Sequence, residues 1–571
     1  MKTKLLNLWR RLLHYLPEAL LIFFVLSLAP AVVMVAARLR AETAKMWESP
    51  GLYWHATALN PWPAAAALAC LVGAALLLYL LWRNWMVVWA VARKMIIEAF
   101  HRKVVLILLV FFVVLMLSLP FILTTEGSPK SQLQLVMLYS LVLAMVLMSL
   151  LAIFLSAASI CSEVERKHVH ITDTKPLRRW KFLLGKWFGV VVMCSAVLFV
   201  MTGAACALVL FMARPPDYSR MTPREAGKAL QGQLELLEEV LVARKSVRAF
   251  DPPGMQASIE RDLKAIEQKG ELPDSPRKLR ALHERLRRSF LAKVLTVPPR
   301  GYYEWHFAGL TPQLEGVLHV RFRGYVNVRQ GRLLGMWQVV HRKRVTTEDG
   351  KVQYRPEVVL ERVAPQYGWH TDVRREFAMP SRFTTEDGQV VHVVPEDGIL
   401  TLRYINLDDE ATASFDGDAS VVIMQREGGF LANYYRTLLV LVCHIALLAA
   451  LGLMAGSVFS FPVASLTVVF FVVIGLVGAW FVSFAEPGVN VEYTFLQELR
   501  YAAWRAFSRG ILAVMPHFGK FNPLGDLTDG KMVTWNMVAG AAAMMVFIKA
   551  SAALLVGMYF YARRELARVI V

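Results

Sequence analysis

Charged residues are scarce in this sequence, and most of those present are basic. Only 19% of its 571 residues are charged, against roughly 25% in ordinary soluble domains. Hydrophobic residues make up 56%, and the mean hydropathy is +0.44. This composition excludes a disordered chain, a collagen and a wholly soluble enzyme.

Cysteine is equally sparse. The chain has five, and all of them lie in or beside apolar runs: Cys70, Cys161, Cys194, Cys206 and Cys443. The long polar segment 213–432 has none, so no disulfide framework and no cysteine-based metal site is expected there.

Motifs for nucleotide or hydrolytic chemistry are also missing. No Gly-x-x-x-x-Gly-Lys-Ser/Thr loop occurs, so the chain does not bind ATP by that route. No nucleophile-elbow motif occurs either. His168 and His170 are suitably spaced for a metal, but the sequence nearby offers no third ligand and is basic. We therefore predict no catalytic residue, no metal site and no cofactor.

Long apolar runs dominate the rest of the chain. A helix crosses the ~30 Å hydrocarbon core with about 20 apolar residues. Eight runs qualify, at about 17–37, 64–82, 104–123, 134–158, 188–212, 437–456, 462–484 and 536–560.

The distribution of charge gives the orientation of these spans. With the N-terminus inside, the inner flanks carry 19 basic and 5 acidic residues, whereas the outer loops carry 9 and 8. This asymmetry is typical of cytosolic flanks in multi-pass proteins. It accounts for much of the net charge of +19, so nucleic acid is not expected as a partner.

Segment 213–432 is predicted to be a folded domain outside the membrane. Its first part, 222–295, has helical periodicity and opens with a capping box at Thr222-Pro-Arg-Glu225, followed by a stripe of Ala226, Leu230, Leu234, Leu237 and Leu241. From 300 to 428 the period changes to two, as in Leu318, Val320 and Phe322, with Asp-Gly turn signals between the runs. This pattern is typical of an antiparallel β-sandwich.

Segment 83–103 reads as an amphipathic helix in the membrane interface. Its apolar residues recur at steps of three and four. Trp85 and Trp89 are suited to anchor it in the interface, with Arg93 and Lys94 off the apolar stripe. The alternative is a cytosolic extension of the neighbouring spans.

The segment 161–186, between the fourth and fifth spans, resembles the cytosolic loop of type-2 ABC exporter permeases. That loop has an acidic pair followed by Arg and Gly or Lys, then Lys/Arg-Pro, an Arg-Arg-Trp motif and Gly-Lys before the next span. The matching residues here are Glu163, Glu165, Arg166, Lys167, Lys175, Pro176, Arg179, Trp180, Gly185 and Lys186. His168 departs from the pattern, since Thr is usual at that position.

The resemblance covers about 83–212 and 430–571. It implies an elbow helix, six core spans and an outer-face segment that includes Pro516 to Pro523. The fold class is then an α-helical polytopic membrane protein of about eight transmembrane helices, with an inserted α+β extracytoplasmic domain containing the sandwich. Its expected parts are 1–82 with two additional helices, 83–212 with the elbow and three core helices, the outer domain 213–432, and 433–571 with three core helices and an outer-face segment 485–535.

Within that family, the chain resembles the permease component commonly labelled as involved in multicopper-enzyme maturation, a broad label that does not imply copper transport. The resemblance implies an ABC ATPase subunit, which binds ATP, and a second permease copy or a related permease as partners. The ATPase-coupling residues would be Glu163, Glu165, Arg166, Lys167, Lys175, Pro176, Arg178 and Arg179. Independently of the family, Pro176 would end a short helix in this loop, and docking would stabilise a helix too short to persist in water. The alternative is that the basic residues only fix topology by attracting anionic lipids.

Two ionisable residues fall inside predicted spans and are candidates for the translocation path. They are His444, in 437–456, and Lys549, in 536–560. Ionisable residues in spans usually face the bundle interior or a wet cavity. Lys549 fits a substrate contact and a structural contact equally, whereas His444 fits a hydrogen-bonded packing residue better.

The sequence as a whole favours a permease subunit in the plasma (inner) membrane, moving a substrate with ATP hydrolysed by a separate subunit. Membrane lipids and an extracytoplasmic protein or glycan are further expected partners. A mechanical transmitter, in which ATP hydrolysis rearranges the outer domain without solute transport, is the main alternative. A membrane-bound enzyme with its site in 300–428 is the third.

Overall fold

The computed structural model describes most of the chain after residue 84. The described residues are 85–101, 103–123, 129–165, 178–270, 276–311, 316–326, 332–346, 352–367, 375–384, 390–395, 397–415, 420–484, 500, 503–504 and 521–566. The predicted spans 17–37 and 64–82 and most of the outer-face segment 485–535 lie outside them.

Apolar helices make up the membrane part. Helix α1 (85–101) is followed by α2 (Val104–Ile122), α3 (Pro129–Glu165) and α4 (Arg179–Met212). After the outer domain come α8 (Phe430–Val458) and α9 (Phe461–Phe484). The short α10 (Pro523–Thr528) precedes α11 (Trp535–Ala541), a π-helical segment (Ala542–Ala550) and α12 (Ser551–Leu566).

Five helical stretches within the described residues are long and apolar enough to cross a membrane: α2, α3, α4, α8 and the continuous run Trp535–Arg563. The six predicted core spans all fall in helices, which confirms a polytopic helical membrane protein.

Helix α8 lies at the centre of this bundle, and two glycines bring it close to α3. A Cβ atom at Gly452 would collide with the hydroxyl of Ser156, and one at Gly456 would lie 3.0 Å from the carbonyl oxygen of Ala157. Small residues four apart allow helix backbones in a membrane to approach closely. The α3–α8 pair therefore forms a tightly packed axis for the bundle.

The outer domain begins with helix α5 (Pro223–Glu235), a π-helical turn (Leu236–Val240) and strand β1 (Val242–Arg248). Helices α6 (Met255–Gln268) and α7 (Pro276–Val294) follow. The other strands are β2 (Thr296–Val297), β3 (Tyr302–Phe307), β4 (Val317–Phe322), β5 (Gly324–Val326), β6 (Arg332–Thr346), β7 (Val352–Tyr367), β8 (Arg375–Pro380), β9 (Arg382–Thr384), β10 (Val390–His392), β11 (Leu400–Asn406), β12 (Ala413–Phe415) and β13 (Val421–Gly429).

Two four-stranded antiparallel sheets, β1-β13-β4-β8 and β3-β11-β6-β7, share one apolar core. Trp337 lies in that core, with its ring centroid 5.1 Å from that of Phe322 on the other sheet and 4.9 Å from that of Tyr404 on its own. Smaller sheets, β2-β12-β5 and β10-β9, complete the domain. The prediction of a β-rich domain with antiparallel sheets is confirmed.

The prediction for 222–295 needs a correction, because strand β1 lies within this range, which was expected to be helical. Val242 and Val247 are buried, and β1 pairs along β13 from Val242–Gly429 to Arg248–Val422. The predicted leucine stripe was expected to run through Leu241, but α5 ends at Glu235. Pairing with a distant strand, which local periodicity does not reveal, determines the structure here.

Candidate functional site

The end of α3 and the start of α4 are joined by a buried ion pair. Lys186 Nζ lies 2.8 Å from Glu163 Oε1 and donates a hydrogen bond of 2.6 Å to the carbonyl oxygen of Ser159. The Lys186 side chain is only 4% exposed, so water screens the pair weakly. These contacts fix the two helix ends that border the segment resembling a coupling loop.

The same end of α4 also contacts the last helix and the central helix. Arg179 Nη1 donates to the carbonyl oxygen of Ala562 at 3.5 Å, and the Phe182 ring stacks on Tyr561 with centroids 6.1 Å apart. Trp187 Nε1 donates to the carbonyl oxygen of Ala446 on α8 at 2.8 Å. We call Glu163, Arg179, Phe182, Gly185 and Lys186 the inner junction.

Helix α1 packs against α4 at two glycines. A Cβ atom at Gly185 would lie 2.7 Å from Val91 Cβ and 2.8 Å from the carbonyl oxygen of Val88, and one at Gly189 would lie 3.0 Å from Ala92 Cα. The apolar stripe of α1 is therefore largely buried against protein, because the two glycines permit a close approach. The location of α1 in the membrane interface stays a prediction.

The four predicted interface residues differ in their exposure and contacts. Trp85 is 39% exposed and its ring makes an edge contact with Phe188 at 4.8 Å. Trp89 contacts the same ring at 6.4 Å. Arg93 is half-buried and Lys94 is exposed. Their role in anchoring the helix to lipid stays a prediction.

The structure brings together some of the predicted coupling residues. Glu163 and Arg179 both lie in the inner junction, and Arg178 is exposed just before the start of α4. Glu165 is the last residue of α3. Arg166, Lys167, Lys175 and Pro176 lie outside the described residues. Sequence reasoning identified Glu163 but not its pairing with Lys186.

The two candidate translocation residues are both buried. His444 lies in α8, and its Nδ1 is 2.9 Å from the carbonyl oxygen of Val440, one helical turn away. Lys549 lies in the π-helical segment and is 7% exposed. Such segments are frequent at functional sites. The open apolar groove of about 390 Å³ between α4 and α8 is lined by neither residue.

A second ionic cluster connects the outer domain to the membrane helices. Arg244 on β1 forms an ion pair with Glu376 on β8, which also accepts from Arg321 on β4 at 2.9 Å. Arg321 Nη1 lies 3.4 Å from Asp529, in the segment before α11. His319 Nδ1 lies 3.3 Å from Glu376. We call Glu239, Arg244, His319, Arg321, Glu376 and Asp529 the outer junction.

Hydrogen bonds and an ion pair connect the outer junction to α3, to α8 and to the segment before α11. The Arg244 N–H donates to the carbonyl oxygen of Gly530 at 2.8 Å, and the Met532 N–H donates back to Arg244 at 2.9 Å. Asn433, in the first turn of α8, donates to Lys531 O and accepts from the Val533 N–H, both at 2.7 Å. Lys130, near the start of α3, forms an ion pair with Glu239.

Burial and charge set the protonation of this cluster. Burial would raise the pKa of Glu376, but the neighbouring Arg244 and Arg321 outweigh it and hold that pKa below its ordinary value. Burial and the nearby Arg244 lower the pKa of His319. At neutral pH the junction thus contains an ionised Glu376 and a neutral His319.

Glu239, His319 and Glu376 also present three atoms of the kind that bind metals, within 4.8 Å of one another. However, Glu239 is already paired with Lys130, and Glu376 with Arg244 and Arg321. These three cations neutralise the carboxylates that a metal would need. The arrangement fits an ionic connection between domains better than a metal centre.

Sequence reasoning missed the outer junction. His319 and Arg321 alternate with Leu318 and Val320, which indicates only that they face away from the sandwich core. The sequence did show a high density of charged residues on that face of β4, which could have indicated an ionic cluster. It does not reveal Glu376 or Asp529 as partners, because these are distant in sequence.

The inner junction lies within a part of the chain that matches a known protein family. Residues 89–223 match the model of a family described as ABC-2 family transporter protein. The match runs from α1 through α2, α3, the segment 161–186 and α4 to the start of α5. No curated protein matches the chain. Over residues 89–223 the chain is thus similar to ABC-2 family transporter proteins, and the described residues include five helices long and apolar enough to cross a membrane, as expected for a multi-pass membrane protein.

Proposed function

We propose that this chain is the transmembrane permease subunit of an ABC transporter in the plasma (inner) membrane. It would move a substrate using ATP that a separate ATPase subunit binds and hydrolyses. That ATPase would dock on segment 161–186, and a second permease copy, or a related permease, would complete the membrane part. The chain itself would have no enzymatic activity and no cofactor.

The inner junction is the observation that carries this proposal. One end of α4 contacts α1 through Gly185, α3 through Lys186 and α12 through Arg179. A partner that displaced segment 161–186 would therefore move several membrane helices together, because packed helices shift as rigid bodies. This is the mechanical requirement of a permease driven from outside its own chain.

The outer junction favours a second candidate function, mechanical transmission without solute transport. Arg244 and Arg321 connect the sandwich to the segment before α11, and Asn433 connects that segment to α8. Movement of the spans would thus reach the outer domain through direct bonds. A protein or glycan held by that domain would be released or activated.

Affinity purification of the tagged chain from native membranes tests the first proposal. We expect a soluble ATPase to co-elute, and the purified complex to hydrolyse ATP. The charge reversal Glu165→Lys should release the ATPase, whereas Lys264→Glu, on the surface of the outer-domain helix α6, should not. Co-elution of no ATPase, or equal retention by both variants, would contradict it.

Reconstitution in vesicles separates the two functions. A transporter should show ATP hydrolysis that rises when the substrate is added and accumulation of that substrate on one side. A mechanical transmitter should show hydrolysis that responds only to a partner added on the outer face. Membrane extracts, separated into lipid, glycan and protein fractions, supply the candidate substrates and partners.

A further inference from the structure

Helix α5 exposes an apolar face at the point where the chain leaves the membrane. Leu230, Leu234 and Leu237 are 51%, 48% and 46% exposed, and no residue of Pro223–Glu235 is buried. Leu230 and Leu234 lie in α5, and Leu237 lies in the π-helical turn that continues it. The three leucines are four and three positions apart, so they lie on one side of this helical segment. A row of half-exposed leucines in water is unfavourable unless something covers it.

A different side of α5 is attached to the outer ends of two spans. Gln233 Nε2 donates to the carbonyl oxygen of Ala213, the residue after α4, at 2.8 Å. A Cβ atom at Gly232 would lie 3.7 Å from Pro129, the first residue of α3. Just beyond α5, Leu236 and Val240 are buried in the core of the membrane helices.

The residues of α5 therefore divide into three sectors. At roughly 100° per residue, the leucines cluster in one sector, and Gly232 and Gln233 face the spans in a second. The third sector is polar and contains Arg224, Lys228, Gln231 and Glu235. A helix with one apolar, one polar and one protein-facing sector is suited to lie along a membrane surface beside its own transmembrane helices.

The ends of the spans place this helix at the level of the bilayer surface. Leu210 and Phe211, in the last turn of α4, are 41% and 63% exposed, as expected for side chains that contact lipid. The bond from Gln233 to Ala213 holds the last turn of α5 next to a residue only two positions beyond Phe211. The surface available to the leucines at this level is the outer leaflet.

We propose that α5 is an interfacial helix, whose leucine face is inserted in the outer leaflet of the bilayer. The occupant of that face is then phospholipid, not a second copy of the chain or another protein. Since α5 lies on the chain between α4 and β1, it would hold the base of the outer domain against the membrane surface while α4 moves.

Site-specific photo-crosslinking tests this proposal on the full chain. The photoreactive residue p-benzoylphenylalanine replaces Leu234 in one variant, Leu230 in a second and Gln231, in the polar sector, in a matched control. Each protein is reconstituted in vesicles of phosphatidylethanolamine and phosphatidylglycerol and irradiated. All three positions are exposed, so the substitutions spare the core.

We expect phospholipid adducts, identified by mass, at positions 230 and 234, at least fivefold more abundant than at position 231. Equal lipid adducts at all three positions would overturn the proposal. So would a protein adduct at 234, which would assign the leucine face to a second copy or another partner. Position 237 replaces 234 if that variant does not accumulate.

Discussion

Lys186 and Glu163 form a buried ion pair that joins the start of α4 to the end of α3. Their charged atoms are 2.8 Å apart, and the lysine also donates to Ser159. The pair thus closes the base of the segment that we propose as the ATPase-docking site. It gives Glu163 a positioning role within the chain, which is separable by experiment from direct contact with an ATPase.

A charge swap distinguishes positioning from docking. Either single reversal, Glu163→Lys or Lys186→Glu, brings like charges together in a buried site, where an uncompensated charge costs about 3–5 kcal/mol. We expect both to reduce ATPase activity of the purified complex severely. The double swap should restore activity in part, since the reversed pair re-forms but loses the bond to Ser159. If the double swap stays inactive while the chain is folded, Glu163 contacts the ATPase itself.

The close contact between α1 and α4 makes Gly185 sensitive to the smallest side chain. We expect Gly185→Ala to destabilise the protein by about 1–3 kcal/mol, the usual cost of overpacking, because the new methyl group would meet Val88 and Val91. The control is Gly203→Ala, also in α4, where a Cβ atom meets nothing within 4 Å. Thermal unfolding of the detergent-purified chain compares the two, and an equal effect of both would contradict the contact.

Loss of Arg244 should disrupt the outer junction. The Arg244 side chain is 2% exposed, and it bonds Glu376 and the carbonyl oxygens of Glu239 and Asp529. Arg244→Ala leaves Glu376 buried with one fewer partner, so we expect the free energy of unfolding to fall by about 3–5 kcal/mol. Arg300→Ala removes the exposed ion pair with Asp409 and should have little effect. Urea titration followed by tryptophan fluorescence measures both, and similar losses would refute the assignment.

Gly530 tests the backbone contact at the same junction. It has a φ of +65°, and a Cβ atom there would collide with the carbonyl oxygen of Glu239. Gly254 has a φ of +80° with nothing near its Cβ position. Alanine is strained at both positions, but only Gly530→Ala adds the collision. We expect it to be the more destabilising of the two in thermal unfolding, and the reverse order would contradict the contact.

Acidification should weaken the outer domain through His319. Its pKa is lowered from 6.5 by burial and by Arg244, so the folded protein keeps this imidazole neutral where the unfolded chain protonates it. The resulting stability is complete above pH 6.5 and is lost as the pH falls toward the folded value. Glu376, whose pKa is below 4.5 in the fold, adds a second loss below that pH.

The measurement is the free energy of unfolding between pH 7.5 and 3. His319→Gln removes the imidazole and should flatten the slope below pH 6.5, while the loss at lower pH that belongs to Glu376 stays. An unchanged slope in the variant would show that other groups account for the dependence.

Local patterns in the sequence predicted the spans and the sandwich because both depend on apolar periodicity. The capping box at Thr222 also depends only on neighbouring residues. In the structure the Thr222 N–H donates to the Glu225 carboxylate at 3.0 Å. The two junctions were not predictable in the same way. Arg244 pairs with a residue 132 positions away, and periodicity identifies the face of a strand but not its partner on another strand.

Helix α1 illustrates the same limit within the membrane part. Its stripe of apolar residues was visible in the sequence, but lipid and protein both cover such a stripe equally well. Gly185 and Gly189 allow α4 to approach α1 closely, so protein covers this stripe in the structure. Two glycines four residues apart in a membrane helix indicate a close helix–helix contact, so the sequence could have predicted the contact between α1 and α4.

We propose that segment 161–186 faces an ATPase in the cytosol, whereas the outer domain lies on the other side of the membrane. Labelling with a membrane-impermeant maleimide tests it, using Thr172→Cys and Gln256→Cys with the unmodified chain as the blank. We predict that position 172 is labelled only when the cytosolic face is exposed, and position 256 only from the outside. Labelling of both positions from the same face would contradict the account.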